Sequence, residues 1–166
     1  LIRYRQTSLD AYSPYNVARA RIVGGELAVA GEAFAHLALR SALTLVDGRD
    51  TTRDSEDPTS NDILPLMPRL VNSNMLELYS RLPRWPGARA AVGVDHFYRA
   101  NRFVDSAGLV TLPSTHLWGA HASLNLRHPT LRLSVAANNL FDVRTLDVIG
   151  LPLPGRSFHA ALEAWW

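Results

Sequence analysis

Phe34-Ala35-His36-Leu37-Ala38-Leu39-Arg40-Ser41-Ala42-Leu43-Thr44-Leu45 alternates. Ala35, Leu37, Leu39, Leu43 and Leu45 make an apolar set interrupted only by Ser41. Phe34, His36, Ala38, Arg40, Ala42 and Thr44 make a mixed set with a His and an Arg. Ala and Leu favour helices. A helix here, however, would lay Arg40 and His36 beside Leu37 and Leu43 and leave no clean stripe. A strand points successive side chains to opposite faces, so the same residues sort into one oily and one wet face. The period predicts a strand.

Working outward, the alternation recurs. Val92, Val94, His96 and Tyr98 oppose Gly93, Asp95, Phe97 and Arg99; Trp118, Ala120, Ala122, Leu124 and Leu126 oppose Gly119, His121, Ser123, Asn125 and Arg127. Leu131, Leu133 and Val135 oppose Arg132, Ser134 and Ala136. The last ten residues repeat it, with Phe158, Ala160, Leu162, Ala164 and Trp166 against Ser157, His159, Ala161, Glu163 and Trp165. Segments 16–30 and 69–82 alternate less cleanly, and 1–7 reads as a partial strand, giving about eight strands in all. Short connections are expected near Gly31-Glu32, at 83–87 and at 127–129; long ones at 8–15, 48–67, 104–113 and 142–154. Short turns at one end and long loops at the other are the pattern of an outer-membrane barrel, and Arg40, Asp95, Arg99, Arg132 and Glu163 on the wet faces suit a watery lumen better than a packed core. The expected fold is all-β: an antiparallel up-and-down meander of about eight strands, part of a transmembrane β-barrel.

Composition agrees. The 166 residues are 47% hydrophobic and 19% charged, which excludes a disordered chain. Mean hydropathy is -0.04. The longest stretch free of Asp, Glu, Lys and Arg, Ser106 to Leu126, holds Pro113, Asn125 and two His, so no helical span is expected. There is no Cys, which removes disulfides, thiolate metal sites and Cys nucleophiles. The net charge is +2 and every basic residue is an Arg, scattered rather than gathered into a stripe, so a nucleic-acid partner is not expected. The N-terminus shows no signal peptide, so either a signal has been removed or the chain begins inside a larger protein; the opening residues read as a strand in progress, which favours the second.

The tail carries a more specific signal. Asn139-Leu140-Phe141-Asp142 is followed by Pro154-Gly155-Arg156 and then by a final strand ending in Trp166. This resembles the C-terminal end of TonB-dependent outer-membrane receptors, where such an element closes the penultimate strand and a Pro-Gly-Arg element opens the last. Pro14-Tyr15-Asn16 and Ala20 through Glu26 resemble an upstream strand of the same family, with Gly25 where the family usually has an apolar residue. The resemblance implies the C-terminal part of a barrel of about 22 strands, spanning 1–166 without plug or signal peptide. It implies uptake of a scarce nutrient such as a ferric siderophore or cobalamin, driven by TonB acting through an N-terminal region absent from this sequence. Outer-membrane lipid and the barrel-assembly machinery are the further partners implied, with Phe158, Leu162 and Trp166 as the assembly signal. The transported ligand and the ligand-binding residues are not named by the sequence.

Local chemistry suits the tail. Asn139 and Asp142 can bond backbone groups where the ladder ends. Pro152 and Pro154 suit a loop entering a strand, and Arg156 is expected to pair with Asp142 or Asp147.

Catalytic signatures are missing: there is no G-x-S-x-G, H-E-x-x-H, P-loop or G-x-G-x-x-G. His116 and His121 fall on opposite faces of one strand, as do Asp95 and His96, so neither pair can share a ligand. His36 and His159 read as lumen residues. The acidic run Asp47, Asp50, Asp54, Glu56, Asp57 and Asp62 lacks the calcium-loop spacing and reads as a solvated loop. No enzyme, metal or cofactor is expected. Tyr79, Trp85, Tyr98, Trp118, Trp165 and Trp166 fit interfacial girdles. The rival architectures are a small self-contained eight-stranded outer-membrane barrel with a structural or adhesive role, and a soluble β-sandwich or lipocalin-like binder. In the barrel reading both chain ends lie on the short-turn side and 48–67 lies outside the cell.

Overall fold

The computed structural model describes residues 2–8, 11–16, 19–34, 36–51, 63–127 and 130–165. Among them there is no helix. The strands are β1 (Ile2–Ser8), β2 (Ala11–Asn16), β3 (Ala20–Ala33), β4 (Leu37–Asp50), β5 (Leu70–Arg81), β6 (Arg89–Arg99), β7 (Arg102–Phe103), β8 (Thr111–Leu112), β9 (Thr115–Leu126), β10 (Thr130–Asn138), β11 (Leu146–Val148), β12 (Leu151–Pro152) and β13 (Ser157–Trp165). Seven long ones form a single antiparallel sheet in the order β13-β10-β9-β6-β5-β4-β3. Each long strand neighbours the next long strand in sequence, so the meander is up-and-down. The short strands pair as three hairpins, β1-β2, β7-β8 and β11-β12.

Register carries the alternation across the sheet. Cross-strand partners share a face, and Leu39↔Leu76↔Val94↔Ala120↔Ala137↔Phe158 run in line, as do Leu37↔Leu78↔Val92↔Ala122↔Val135↔Ala160. On the same face stand Leu43, Leu124, Leu133 and Leu162. Arg40, Asp95, Arg99 and Arg132 occupy the other. The sorting expected from sequence is therefore the sorting observed.

The sheet has one layer, and among the described residues no second sheet packs on its apolar face. Leu27, Val29, Leu78, Val92, Phe158 and Leu162 on that face are all more than half exposed. The buried hydrophobic residues among those described are Leu64, Ala88, Ala91 and Leu112. Part of this small core lies at the long-loop end on the charged face, where Leu64 and Met67 fold over Gly48; a Cβ at Gly48 would collide with the Met67 sulfur.

Three expectations change. The Gly31-Glu32 pair is not a turn: β3 runs through it to Ala33, and the reversal falls at 34–36, with Phe34 at φ 53°. The Glu32 side chain is used across the sheet, as described below, so its polarity did not mark a loop. The stretch 8–15 is not wholly an open connection: 11–15 belong to β2, which pairs with β1 as a hairpin, Ile2 opposite Asn16 and Ser8 opposite Ala11, while 9–10 lie outside the described residues. This removes 1–7 from the main sheet, which has seven strands in place of eight. It also moves the N-terminal end. Ala20 pairs with Asp50 at the long-loop end of β4, and Asn16, the partner of Ile2, is only four residues before it. The C-terminal strand does finish at the short-turn end, where Trp165 faces Thr130.

Candidate functional site

The charged face carries its most ordered group at mid-sheet. Glu77 on β5, Gly93 on β6 and His121 on β9 stand in one register row. The His121 Nδ1 lies 2.8 Å from Asp95 Oδ2 and its Nε2 lies 3.3 Å from Glu77 Oε2. Both ring nitrogens therefore face a carboxylate oxygen. The ring reaches both because Gly93 leaves the space beneath it empty: a Cβ there would come within 2.5 Å of His121 Cε1 and Nε2. Each side chain sits on a different strand, so the ladder sets their spacing. Among the described residues no group of three or more His, Cys, Asp or Glu is arranged to hold a metal.

Toward the short turns, Tyr79 donates its hydroxyl to Glu32 Oε2 at 2.7 Å, and the Arg89 guanidinium lies 4.0 Å from the centre of its ring. A cation over an aromatic face is attracted by the ring quadrupole. These groups and His36, which contacts the Tyr79 carbonyl at 3.1 Å, line an open recess of about 600 Å³. Tyr79 and Trp165 thus belong to the charged face. Of the aromatics expected in a girdle, Tyr98 and Trp118 stand on the apolar face, Trp85 sits in the 82–88 turn, and Trp166 lies outside the described residues.

Toward the long loops, Arg99 on β6 and Arg102 on β7 grip the β11 hairpin. Arg99 Nη1 donates to Asp147 Oδ1 at 3.0 Å; Arg102 Nη2 donates to the Leu146 carbonyl at 3.1 Å and also to the Asp147 carbonyl. Arg102 is 3% exposed. Burial, and secondarily Arg99 beside it, push its guanidinium down from the ordinary value, while Asp147 opposes them. Arginine remains charged under such shifts. Thr115, 1% exposed, meets the Thr145 hydroxyl at 2.9 Å and ties the same loop to β9.

The tail motif closes the base of that loop. Asn139 and Asp142 both adopt positive φ, 50° and 51°, a region that Asn and Asp tolerate better than most residues. Asn139 Nδ2 donates to the carbonyls of Val143 and Pro154 at 3.0 and 3.3 Å, and its Oδ1 accepts the Val143 N–H at 2.9 Å. One side chain thereby joins the two ends of a fifteen-residue excursion. Asp142 Oδ1 accepts the Arg156 N–H at 2.9 Å. Gly155 is required between them, since a Cβ there would stand 2.6 Å from that oxygen. Leu140 donates its N–H to the Trp118 carbonyl at 2.8 Å; Phe141 is 71% exposed and Pro154 is exposed. The expected charge pair of Arg156 with Asp142 or Asp147 is replaced: Asp142 accepts the Arg156 backbone N–H, and Asp147 is held by Arg99 and Arg102.

The remaining expected residues fall as follows. Phe158 and Leu162 share the apolar face of β13 and are 72% and 68% exposed; their companion Trp166 is outside the described residues. His116 and His121 are on opposite faces, as are Asp95 and His96. Asp47 contacts Arg49 at 3.2 Å and Arg69 at 3.8 Å, whereas Asp54, Glu56, Asp57 and Asp62 are outside the described residues. Sequence reasoning missed Glu77 and Arg102. Each acts through partners 44 or 45 residues away, and only register reveals such pairs.

A family model described as TonB dependent receptor-like, β-barrel, matches residues 2–140. The match includes the β1-β2 hairpin and stops at Leu140, so most of the tail motif lies beyond it. No curated protein matches the chain.

Proposed function

The chain belongs to the TonB-dependent receptor β-barrel family, a family of bacterial outer-membrane transporters and not of enzymes, and from that premise we propose that it supplies wall, lumen lining and external loops to a TonB-driven importer of a scarce, bulky nutrient, such as a ferric siderophore or cobalamin. The observation that carries this reading is the single-layer sheet with one apolar and one charged face, both open. A soluble sandwich or lipocalin would cover the apolar face with protein. Here lipid is the natural cover, and each large apolar side chain fully transferred from water contributes about 1.5–3 kcal/mol. The charged face, with Glu77, Asp95, His121, Arg99 and Arg132, then lines the lumen.

In this reading the β3–β4, β5–β6 and β9–β10 connections are periplasmic, and those after β4, β6 and β10 are external. Phe158, Leu162 and Trp166 serve recognition by the barrel-assembly machinery. TonB acts through the N-terminal region of the parent receptor. The rival small eight-stranded barrel would need its first and last strands to pair. β1 pairs with β2, and both β3 and β13 end the main sheet with a free edge among the described residues, a state that barrels avoid.

The test is uptake. Cells expressing the full receptor should accumulate one member of a panel of labelled ferric siderophores and cobalamin only when TonB is intact. Accumulation indifferent to TonB would overturn the proposed transport.

A further inference from the structure

The arginines are scattered in sequence, but register gathers three of them. Arg81, Arg89, Asn125 and Arg132 stand in one row across β5, β6, β9 and β10, on the charged face at the short-turn end. Arg84 and Arg127, in the adjoining connections, join them, and all five arginines are exposed. The two connections touch: a Cβ at Gly87 would stand 2.9 Å from that of Arg127.

Like charges directly opposite one another on neighbouring strands are destabilising, and Arg81 stands directly opposite Arg89. No acid in the sheet answers them. Among the described residues none of the five arginines is in an ion pair. Two glutamates are near. Glu32 Oε2 accepts the Tyr79 hydroxyl at 2.7 Å, and Glu163 faces Arg132 in register without pairing with it. Arg89 lies 4.0 Å from the centre of the Tyr79 ring, a contact that holds a cation without neutralising it. The next row inward, Tyr79, Ala91, Ser123, Ser134 and Ala161, carries no charge. At the long-loop end, by contrast, Asp47 meets Arg49 and Arg69, and Asp147 meets Arg99 and Arg102.

We propose that this row docks an acidic, extended segment of another protein in the periplasm. Strands lie about 4.8 Å apart, so the row from β5 to β10 spans about 14 Å, the reach of about four or five residues of extended chain. Such a chain points alternate side chains the same way, and carboxylates at every second position meet the arginines together. Lipid headgroups do not fit the row, because it stands on the charged face and lipid covers the other. A second copy of this chain does not fit it either, since the acidic run 47–62 belongs to the opposite end of the sheet. The site rests on the reading that the short connections are periplasmic, and it is separate from the N-terminal region through which TonB acts.

The experiment uses the full receptor in phosphatidylcholine nanodiscs and a short fluorescent peptide with Glu at every second position, read by anisotropy. The Glu peptide should bind about tenfold more tightly than its Gln counterpart, and the difference should shrink as salt is raised. Arg81→Gln, Arg89→Gln and Arg132→Gln together should remove that advantage, while Arg40→Gln, on the same face at mid-sheet, should leave it. Asn125→Glu is the sharper variant. It sets a carboxylate between Arg89 and Arg132, so it should raise the stability of the folded receptor and weaken the Glu peptide about tenfold. Equal binding of the Gln peptide, binding untouched by either change to the row, absence of binding to the full receptor, or displacement of the peptide by phosphatidylglycerol in the discs would each overturn the docking site. In cells, the peptide should reach the receptor only after the outer membrane is made permeable; binding to intact cells would place the row outside and overturn the periplasmic partner. Uptake that is indifferent to TonB, by contrast, removes the importer and leaves the docking result standing.

Discussion

The two faces of the seven-stranded sheet are made by the same strands and differ in how they spend their side chains. On the apolar face, Leu39, Leu76, Val94 and Ala120 line up by type, and almost any residue of similar size and polarity would serve. On the charged face, His121 meets Asp95 and Glu77 at 2.8 and 3.3 Å, and Gly93 must be Gly for them to meet. Such apolar rows are specified by class, the His121 group by identity. The physical reason is direction: burial of apolar surface is non-directional and scales with area, whereas a hydrogen bond fails beyond a few tenths of an ångström.

The comparison breaks most visibly if a charge is placed on each face. Leu124→Arg should destabilise the inserted protein by about 2–4 kcal/mol in a lipid-reconstituted unfolding titration, and Ser123→Arg, its neighbour on the charged face, by less than about 1 kcal/mol. Equal costs would remove the sidedness. Next comes identity. Gly93→Ala should cost about 1–3 kcal/mol through displacement of the His121 ring, while Gly25→Ala, where a Cβ meets nothing within 4 Å, should be nearly neutral. Measuring both by the same titration separates a packing cost from a general intolerance of side chains at glycines.

Smaller effects sharpen the difference at the ends of the strands. Asp147→Asn removes the charge that Arg99 and Arg102 share. Because Asp147 is 58% exposed, the stability loss should be within about 1 kcal/mol. Its clearer sign should be several-fold faster amide exchange across 143–153, with 82–88 unchanged. Uniform acceleration would mean that the hairpin is not specifically latched. Least visible in stability is the terminal residue. Deleting Trp166 should lower the amount of folded receptor in the outer membrane while inserted molecules keep normal ligand affinity. Normal insertion with weakened ligand binding would assign the residue to the lumen.

Much of the fold was written in one-dimensional form. Leu37 to Leu45, Val92 to Tyr98 and Trp118 to Leu126 carry a period of two, and each became a strand with the expected sidedness. The tail was legible as well: Asn139 and Asp142 are types that accept positive φ and bond nearby backbone, and both do. Where the reading failed, a local cue was used for a distant purpose. Gly31-Glu32 has turn composition, yet Glu32 accepts the hydroxyl of Tyr79, 47 residues on, and the strand continues. Residues 8–15 have the polarity of a loop, but 11–15 take up a ladder with β1. Tyr79 and Trp165 were assigned by aromatic type to a girdle, while parity set both on the charged face.

Sequence alone determined the class of structure: strands, their two-sidedness, the lack of thiol chemistry, and the motif residues that close the last loop. These follow from side-chain period, backbone preference and the inventory of donors and acceptors, all of which are local. Tertiary structure decided the partners. Glu77, Asp95 and His121 lie on three strands, and Arg99, Arg102 and Asp147 join a strand to hairpins. Shifting any one strand by a single residue would turn its whole set of side chains to the other face. Register is a property of the assembled sheet, fixed by the sum of many weak cross-strand terms, so which carboxylate meets which imidazole is settled only when the ladder closes.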